Sequence, residues 1–227
     1  MTRPLERALL ASEPTAAAVA LLGARLVRTD AGGRRIGRIV EVEAYGGPED
    51  RASHARFVGG SRAAAMRAAP GSAYVYRVYG MHRCLNAVAG PAGTAAAVLI
   101  RAVEPLDGID SMRHARIRRS LAARRSPPSA ADRDRILRRI ASLAPARIAA
   151  GPGCVADAFD VEEHETGEDL LAPGAALRIE GMGAAADGAV PIGRSARIGV
   201  GRAGEPWAST PLRFVVLGSP ALSAPAD

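Results

Sequence analysis

The chain has no lysine: every one of its 30 Lys-plus-Arg residues is an arginine. A guanidinium stays protonated, so no side chain here can form an imine with a substrate carbonyl. A covalent amine mechanism would need the N-terminus. Cysteine is nearly absent too. Cys84 and Cys154 are the only thiols, with no CxxC and no framework spacing, which excludes a disulfide scaffold and implies a reduced, cytoplasmic setting. Residues 16–24 are apolar but too short to span a bilayer. They follow Glu6 and Glu13 without a basic n-region, so they read as a helix and not as a signal peptide, and no membrane partner is expected. Aromatic residues make up 4% of the chain, so the core must be built from alanine, valine, leucine and isoleucine.

Set against that scarcity, all four tyrosines lie between positions 45 and 79. The densest run is Tyr74-Val75-Tyr76-Arg77-Val78-Tyr79-Gly80-Met81, and upstream of it lies Glu41-Val42-Glu43-Ala44-Tyr45, with His54 soon after. The net charge of +7 favours a polyanionic partner. Rings beside carboxylates in a basic protein describe a pocket that stacks a flat heterocycle and does chemistry next to it. Ten arginines fall between 113 and 139, against only Asp132 and Asp134. With no aromatics among them for bases to stack on, a solvated face explains them better than phosphate contact does.

At 227 residues the chain is read as a single domain, 1–227, with a core of ordinary size. Ser12-Glu13-Pro14 starts a helix that Gly23 stops. Residues 25–28 and 37–44 form a hairpin around Asp30-Ala31-Gly32-Gly33. Strand alternation puts Ile39, Glu41, Glu43 and Tyr45 on one face and Val40, Val42 and Ala44 on the core face. Gly47-Pro48-Glu49-Asp50 reads as the start of a short helix carrying His54. Further strands are expected at 74–79, 95–103, 176–180, 195–200 and 212–217, and helices at 106–118 and 134–143. Residues 119–133, with Pro127-Pro128, read as a flexible Arg/Pro-rich segment. Strands arriving in hairpins imply a mixed α/β (α+β) class with a curved, mainly antiparallel sheet and surrounding helices.

Glu43, on the tyrosine face, can serve as a general base that activates a water; Glu41 has the same parity and competes for the role. Arg101 interrupts an apolar strand and needs an anion, for which Glu43 is the partner. Tyr45 and Tyr76 can sandwich a base, each contact worth roughly 1–3 kcal/mol, or can be core tyrosines. Tyr79, where the strand turns, suits an exposed wedge that fills the gap left by a displaced nucleotide. Asn86 can cap backbone groups or meet a base edge. His54, His82, His114 and His164 are scattered, which gives no metal site. Together these residues describe base excision by water, leaving an abasic site without strand cleavage through an imine.

At these residues the chain resembles the alkyladenine (3-methyladenine) DNA glycosylase family, also called methylpurine glycosylases. The likeness is carried by residues 37–45 through His54, then 70–81, Leu85-Asn86, 99–105, Gly151-Pro152-Gly153, Arg197-Ile198-Gly199-Val200-Gly201, Pro211-Leu212-Arg213-Phe214 and Gly218-Ser219-Pro220. It covers nearly the whole chain apart from the Arg/Pro-rich stretch. The resemblance implies a single-domain mixed α/β fold whose protruding hairpin enters the DNA minor groove. It implies monofunctional glycosylase activity in base-excision repair, with no metal and no cofactor. Glu43 then activates the water and Arg101 supports it. Tyr45, His54 and Tyr76 form the base pocket, Asn86 excludes guanine, and Tyr79 intercalates. Arg62, which fits the family pattern, and Arg77 are expected to contact the DNA backbone. The implied partner is duplex DNA containing damaged purines such as 3-methyladenine and 7-methylguanine, in many members also hypoxanthine and ethenoadenine. The protein would act as a cytoplasmic, nucleoid-associated monomer. Three positions depart from the pattern: Ala63 where Asn is common, Arg67 where Phe is usual, and Cys154 where Lys is usual. Two other readings use the same residues. A non-catalytic damaged-DNA binding protein would hold lesions without releasing base, and an RNA-binding domain would prefer tRNA to lesion-bearing duplex.

Overall fold

A computed structural model of the chain describes residues 5–57, 59–123, 126–181 and 191–225. Its centre is one eight-stranded sheet in which every strand pairing is antiparallel. In chain order the strands are β1 (Arg25–Asp30), β2 (Gly33–Tyr45), β3 (Ala73–Val78), β4 (His82–Val88), β5 (Ala97–Asp107), β6 (Leu177–Glu180), β7 (Ile192–Ser195) and β8 (Arg213–Val216). The order across the sheet is β3-β4-β5-β2-β1-β6, and β8 joins β2 and carries β7.

β2 is the hub. Along one edge it pairs with β5; along the other, β1 covers it up to Arg38 and β8 covers Glu41 to Glu43. Glu41 and Glu43 therefore lie on a doubly paired strand, and both are fully buried. Two irregularities shape this region. Between Ile39 and Glu41 the β2 strand carries one extra residue, Val40, and between Glu41 and Val42 the extra residue is Arg101 on β5. Bulges of this kind re-aim side chains. Here they break the expected alternation: Ile39 joins Val40, Val42 and Ala44 in the main core, while Glu41, Glu43 and Tyr45 stay on the other face. Gly37 lets β5 approach closely, because a Cβ there would meet Val103 Cγ1 at 2.3 Å.

Six α-helices surround the sheet among the described residues. α1 (Arg7–Leu10) leads into α2 (Pro14–Leu21), which starts on Pro14 and packs its alanines and Leu21 on β2 and β5. α3 (Ser61–Ala65) borders the site described below. α4 (Ile109–Ala122) and α5 (Ala130–Ala141) lie against each other, and α6 (Pro152–Ala158) packs on β4, β5 and α4. Ser129 caps α5 by accepting from the Asp132 N–H at 3.1 Å, and Ile136 and Ile140, four apart, form its buried stripe. The segment expected to be flexible, 119–133, thus contributes its first residues to α4 and its last to α5; Arg124 and Arg125 lie outside the described residues.

Three local expectations need correction. Residues 47–50 do not begin a helix: they form a turn, closed by the Asp50 N–H on the Gly47 carbonyl, and His54 sits in a 3₁₀ turn (His54–Arg56) capped by the Ser53 hydroxyl. The acids in 47–50 that read as a helix start are used elsewhere, Asp50 as the partner of a buried arginine. Residues 196–200 lie outside any strand, because β7 ends at Ser195. The helix expected from residue 106 begins at Ile109, after Gly108 in the left-handed region, and Leu106 belongs to β5. The main core is aliphatic as composition requires, with Phe159 and Phe214 buried in it, while Tyr74 is buried in the smaller cluster beside the site.

Candidate active site

A cavity of about 330 Å³ opens where β2, β3, β4 and β5 meet the 196–200 loop and the first turn of α6. Its walls include Tyr45, His54, Tyr74, Tyr76, Asn86 and Arg101, with Tyr79 at its edge. The sequence-expected pocket residues are therefore brought together.

Glu43 stands behind this wall, and each of the three groups that touch it lines the cavity. The Tyr45 hydroxyl donates to its Oε2 at 2.8 Å, the Ile198 backbone N–H to its Oε1 at 2.7 Å, and Arg101 Nη1 to Oε2 at 3.3 Å. Burial, then the Glu43 charge, holds the Tyr45 phenol well above its ordinary pKa, so it remains the donor of that bond. Arg101 stays cationic: burial works against its charge, but Glu43 and then Glu41 outweigh burial and raise its pKa.

Glu41, the competitor, is differently placed. It accepts from Arg101 Nε (3.1 Å), Arg213 Nε (2.8 Å), the Ser223 N–H (2.6 Å) and the Ser223 hydroxyl (2.7 Å). Burial raises its pKa, but the Ser223 and Arg213 hydrogen bonds reverse the sign and leave it below the ordinary carboxylate value. Glu41 takes four hydrogen bonds, two of them from arginines, and neither Arg213 nor Ser223 lines the cavity; Glu43 takes three, each from a group that does. That difference, rather than burial, separates the two carboxylates.

The aromatic wall is held by its own hydrogen bonds. His54 Nδ1 lies 2.8 Å from the Tyr74 hydroxyl, and Arg62 Nη1 lies 3.3 Å from His54 Nε2. Arginine only donates, so Nε2 is the acceptor and Nδ1 carries the proton, which it gives to Tyr74. Burial, with the Arg62 charge, lowers the His54 pKa to about 4, so the ring is neutral at physiological pH. The imidazole meets Tyr76 edge-on at 4.6 Å between centroids, and Tyr74 and Tyr76 lie 5.3 Å apart. Asn86, the chain's only asparagine, spends both amide hydrogens on the carbonyls of Tyr74 (2.9 Å) and Cys84 (3.3 Å). Its oxygen is thereby oriented away from those backbone groups.

Tyr79 stands apart. It is 89% exposed at the tip of the β3–β4 hairpin, where Tyr79 (φ 52°) and Gly80 (φ 70°) form a mirror-image turn closed by the Met81 N–H on the Val78 carbonyl at 3.2 Å. Arg62 lies on the rim, its guanidinium 5.4 Å from the Tyr76 ring centroid. Arg77 is half-exposed and pairs with Glu163, Nε to Oε1 2.8 Å. Of the departing positions, Ala63 is fully buried in α3, Arg67 is half-buried, and the Cys154 sulfur accepts from Arg116 Nη2 at 3.3 Å.

Several residues of the site escaped the sequence reading. Tyr74 orients His54, Ile198 supplies an amide to Glu43, and Arg197, Asp50, Arg213 and Ser223 hold the surrounding charges. Cys84 lines the cavity with its thiol pushed up to about 11 by burial. The signals that pointed at any of them were the quoted runs that contain Tyr74, Arg197-Ile198 and Arg213, none of which gave the residue its role.

The sequence model of the family described as methylpurine-DNA glycosylase (MPG) matches residues 8–220. A protein of Anaeromyxobacter dehalogenans (strain 2CP-C), named a candidate 3-methyladenine DNA glycosylase, is 41% identical over 98% of this chain and 87% of its own length. The DNA-3-methyladenine glycosylases of Mus musculus and Homo sapiens are 41% and 40% identical, each over 90% of this chain, which spans 56% and 62% of their lengths.

Proposed function

Because the chain belongs to the methylpurine-DNA glycosylase family, we propose that it excises alkylated purines from duplex DNA by hydrolysis of the N-glycosidic bond. The substrates are 3-methyladenine and 7-methylguanine, with hypoxanthine and ethenoadenine as further members of the set. The observation that carries this reading is the convergence of Arg101, the Tyr45 hydroxyl and the Ile198 amide, all lining an aromatic cavity, on a buried Glu43 behind its wall.

The damaged nucleotide leaves the stack, at a cost of a few kcal/mol that is smallest for damaged or mismatched bases. Tyr79, on its exposed tip, fills the gap in the duplex. The purine enters the cavity between Tyr45 and Tyr76, with His54 at its edge, and Asn86 meets the base edge and selects against guanine. Glu43 accepts a proton from water as the oxygen bonds to C1′; the glycosidic electrons leave with the purine. For a cationic alkylated base, departure cancels the charge and no acid is required; a neutral hypoxanthine or ethenoadenine takes up a proton from solvent as it leaves. Arg101 donates to Glu43 and bounds the space in which the water is held. With no lysine in the chain, the product is the free base and an intact abasic strand, so the enzyme is monofunctional. Arg62 and Arg77, beside the hairpin, face the DNA backbone. The reading includes action as a monomer on the nucleoid.

Purified protein incubated with alkylated duplex should release 3-methyladenine. Glu43→Gln keeps the shape of the side chain and loses the base, so release should fall by roughly 10²- to 10⁴-fold. Full activity in that variant would overturn the assignment.

A further inference from the structure

Glu43 receives one of its hydrogen bonds from Ile198, which lies in a stretch, residues 196–200, with no strand or helix to fix it. The neighbouring Arg197 supplies the anchor. Its side chain is fully buried and makes a bidentate pair with Asp50, Nη1 to Oδ2 2.6 Å and Nη2 to Oδ1 2.9 Å. Nη1 also donates to the Ala44 carbonyl at 3.0 Å, on β2 between Glu43 and Tyr45, and Nη2 to the Trp207 carbonyl at 3.4 Å. The guanidinium lies 4.7 Å from the Tyr45 ring centroid, stacked on it. Asp50 is itself fixed, accepting from the Gly46 and Ala52 amides at 3.1 and 3.0 Å. Bidentate arginine–carboxylate pairs fix orientation as well as distance.

We propose that Arg197, locked by Asp50, is a positioning residue for this reaction, setting two parts of the site at once. It presents the Ile198 N–H to the carboxylate that activates water, and it covers the back face of Tyr45 so that the ring's other face is offered flat to the base. The inference rests on the function proposed above, and it assigns roles to Arg197 and Asp50, residues that touch neither the base nor the water. A pair serving stability alone would have no reason to join the loop to the backbone between the two residues that act on substrate.

The test uses Arg197→Lys, Asp50→Asn and Asp50→Glu in the full chain. Each is assayed for single-turnover release of 7-methylguanine with enzyme in excess, for binding to a duplex carrying a tetrahydrofuran abasic analogue, and for melting temperature. Lysine cannot reproduce the planar fork, so Arg197→Lys should lower the single-turnover rate roughly 10- to 100-fold, the penalty of a site displaced by about 1 Å. Affinity for the tetrahydrofuran duplex, which has no base to stack, should stay at the wild-type value. Asp50→Glu should retain more activity than Asp50→Asn. Variants that melt lower yet release base at the wild-type rate would overturn the proposal. Should Arg197→Lys not fold, the order of the two Asp50 variants decides in the same way. Glu43→Gln is run alongside: activity in that control sinks the underlying mechanism, whereas its inactivity with a fully active Arg197→Lys sinks only the positioning role.

Discussion

Replacing Tyr79 with glycine separates folding from function with opposite signs. The side chain is 89% exposed and its backbone sits at φ 52°. An L-residue held in the left-handed region is strained by roughly 1–2 kcal/mol. Glycine relieves that strain but adds freedom to the unfolded chain, at a cost of about 0.5–1 kcal/mol. The net change is a stabilisation of about 0–1.5 kcal/mol, which for a chain of this length leaves the melting temperature unchanged or raises it by up to about 6 °C. No buried contact of the ring is lost. In the proposed complex, however, the ring's stacking inside the duplex disappears, worth roughly 1–3 kcal/mol, which corresponds to about 5- to 150-fold weaker capture of a lesion. Thermal melting gives the first quantity, and fluorescence anisotropy with an ethenoadenine-containing duplex gives the second. A variant that melts several degrees lower while binding the lesion duplex as tightly as wild type would refute the reasoning, because it would mean that the ring packs in the free protein and plays no part in the complex.

Two further outcomes follow from the buried charges. The folded-state pKa of His54 is lowered to about 4 from an ordinary 6.5, so below pH 6.5 the unfolded chain binds a proton that the folded chain refuses. Stability contributed by this residue is present above pH 6.5 and is lost as pH falls toward 4; melting curves across that window should be flatter for His54→Gln than for wild type, and parallel curves would remove the cause assigned here. Glu41→Gln leaves Arg213 without its carboxylate and Arg101 with only Glu43, so by the usual cost of breaking a buried pair it should destabilise by about 3–5 kcal/mol. An unchanged urea midpoint would show that Ser223 and the backbone carbonyls suffice for those arginines.

Much of the site was legible because its parts are local. Tyr45 lies two positions from Glu43 on one strand, Tyr76 and Tyr79 share a hairpin, and Arg101 announces itself as a charge inside an apolar run. The helix starting at Pro14 and the β1–β2 hairpin followed from turn and cap residues in the same way. What could not be read are contacts joining distant positions: Asp50 with Arg197, 147 residues apart, and Glu41 with Ser223, 182 apart. No periodicity encodes such a pairing. The 3₁₀ turn at His54 was misplaced for a related reason, since Asp50, taken for a helix-start acid, is committed to an arginine that lies far along the chain.

The bulges at Val40 and Arg101 explain why alternation alone failed at Ile39 and why it could not choose between the two carboxylates. Two-residue parity gives Glu41 and Glu43 the same face, and both are equally buried, so neither periodicity nor burial ranks them. The Arg101 guanidinium bridges the pair, Nε on Glu41 and Nη1 on Glu43. Glu41 takes the shorter bond and also accepts from Arg213 and Ser223, so it is a fixed counter-charge that holds the orientation of two arginines. Glu43 is left with the longer arginine contact, and all three of its donors line the cavity. A carboxylate paired with two arginines is a poor base, because protonation would weaken two charge-assisted hydrogen bonds at once. The division of labour between two identical side chains is therefore decided by partners that arrive from the last thirty residues of the chain, Ile198 on one and Arg213 with Ser223 on the other.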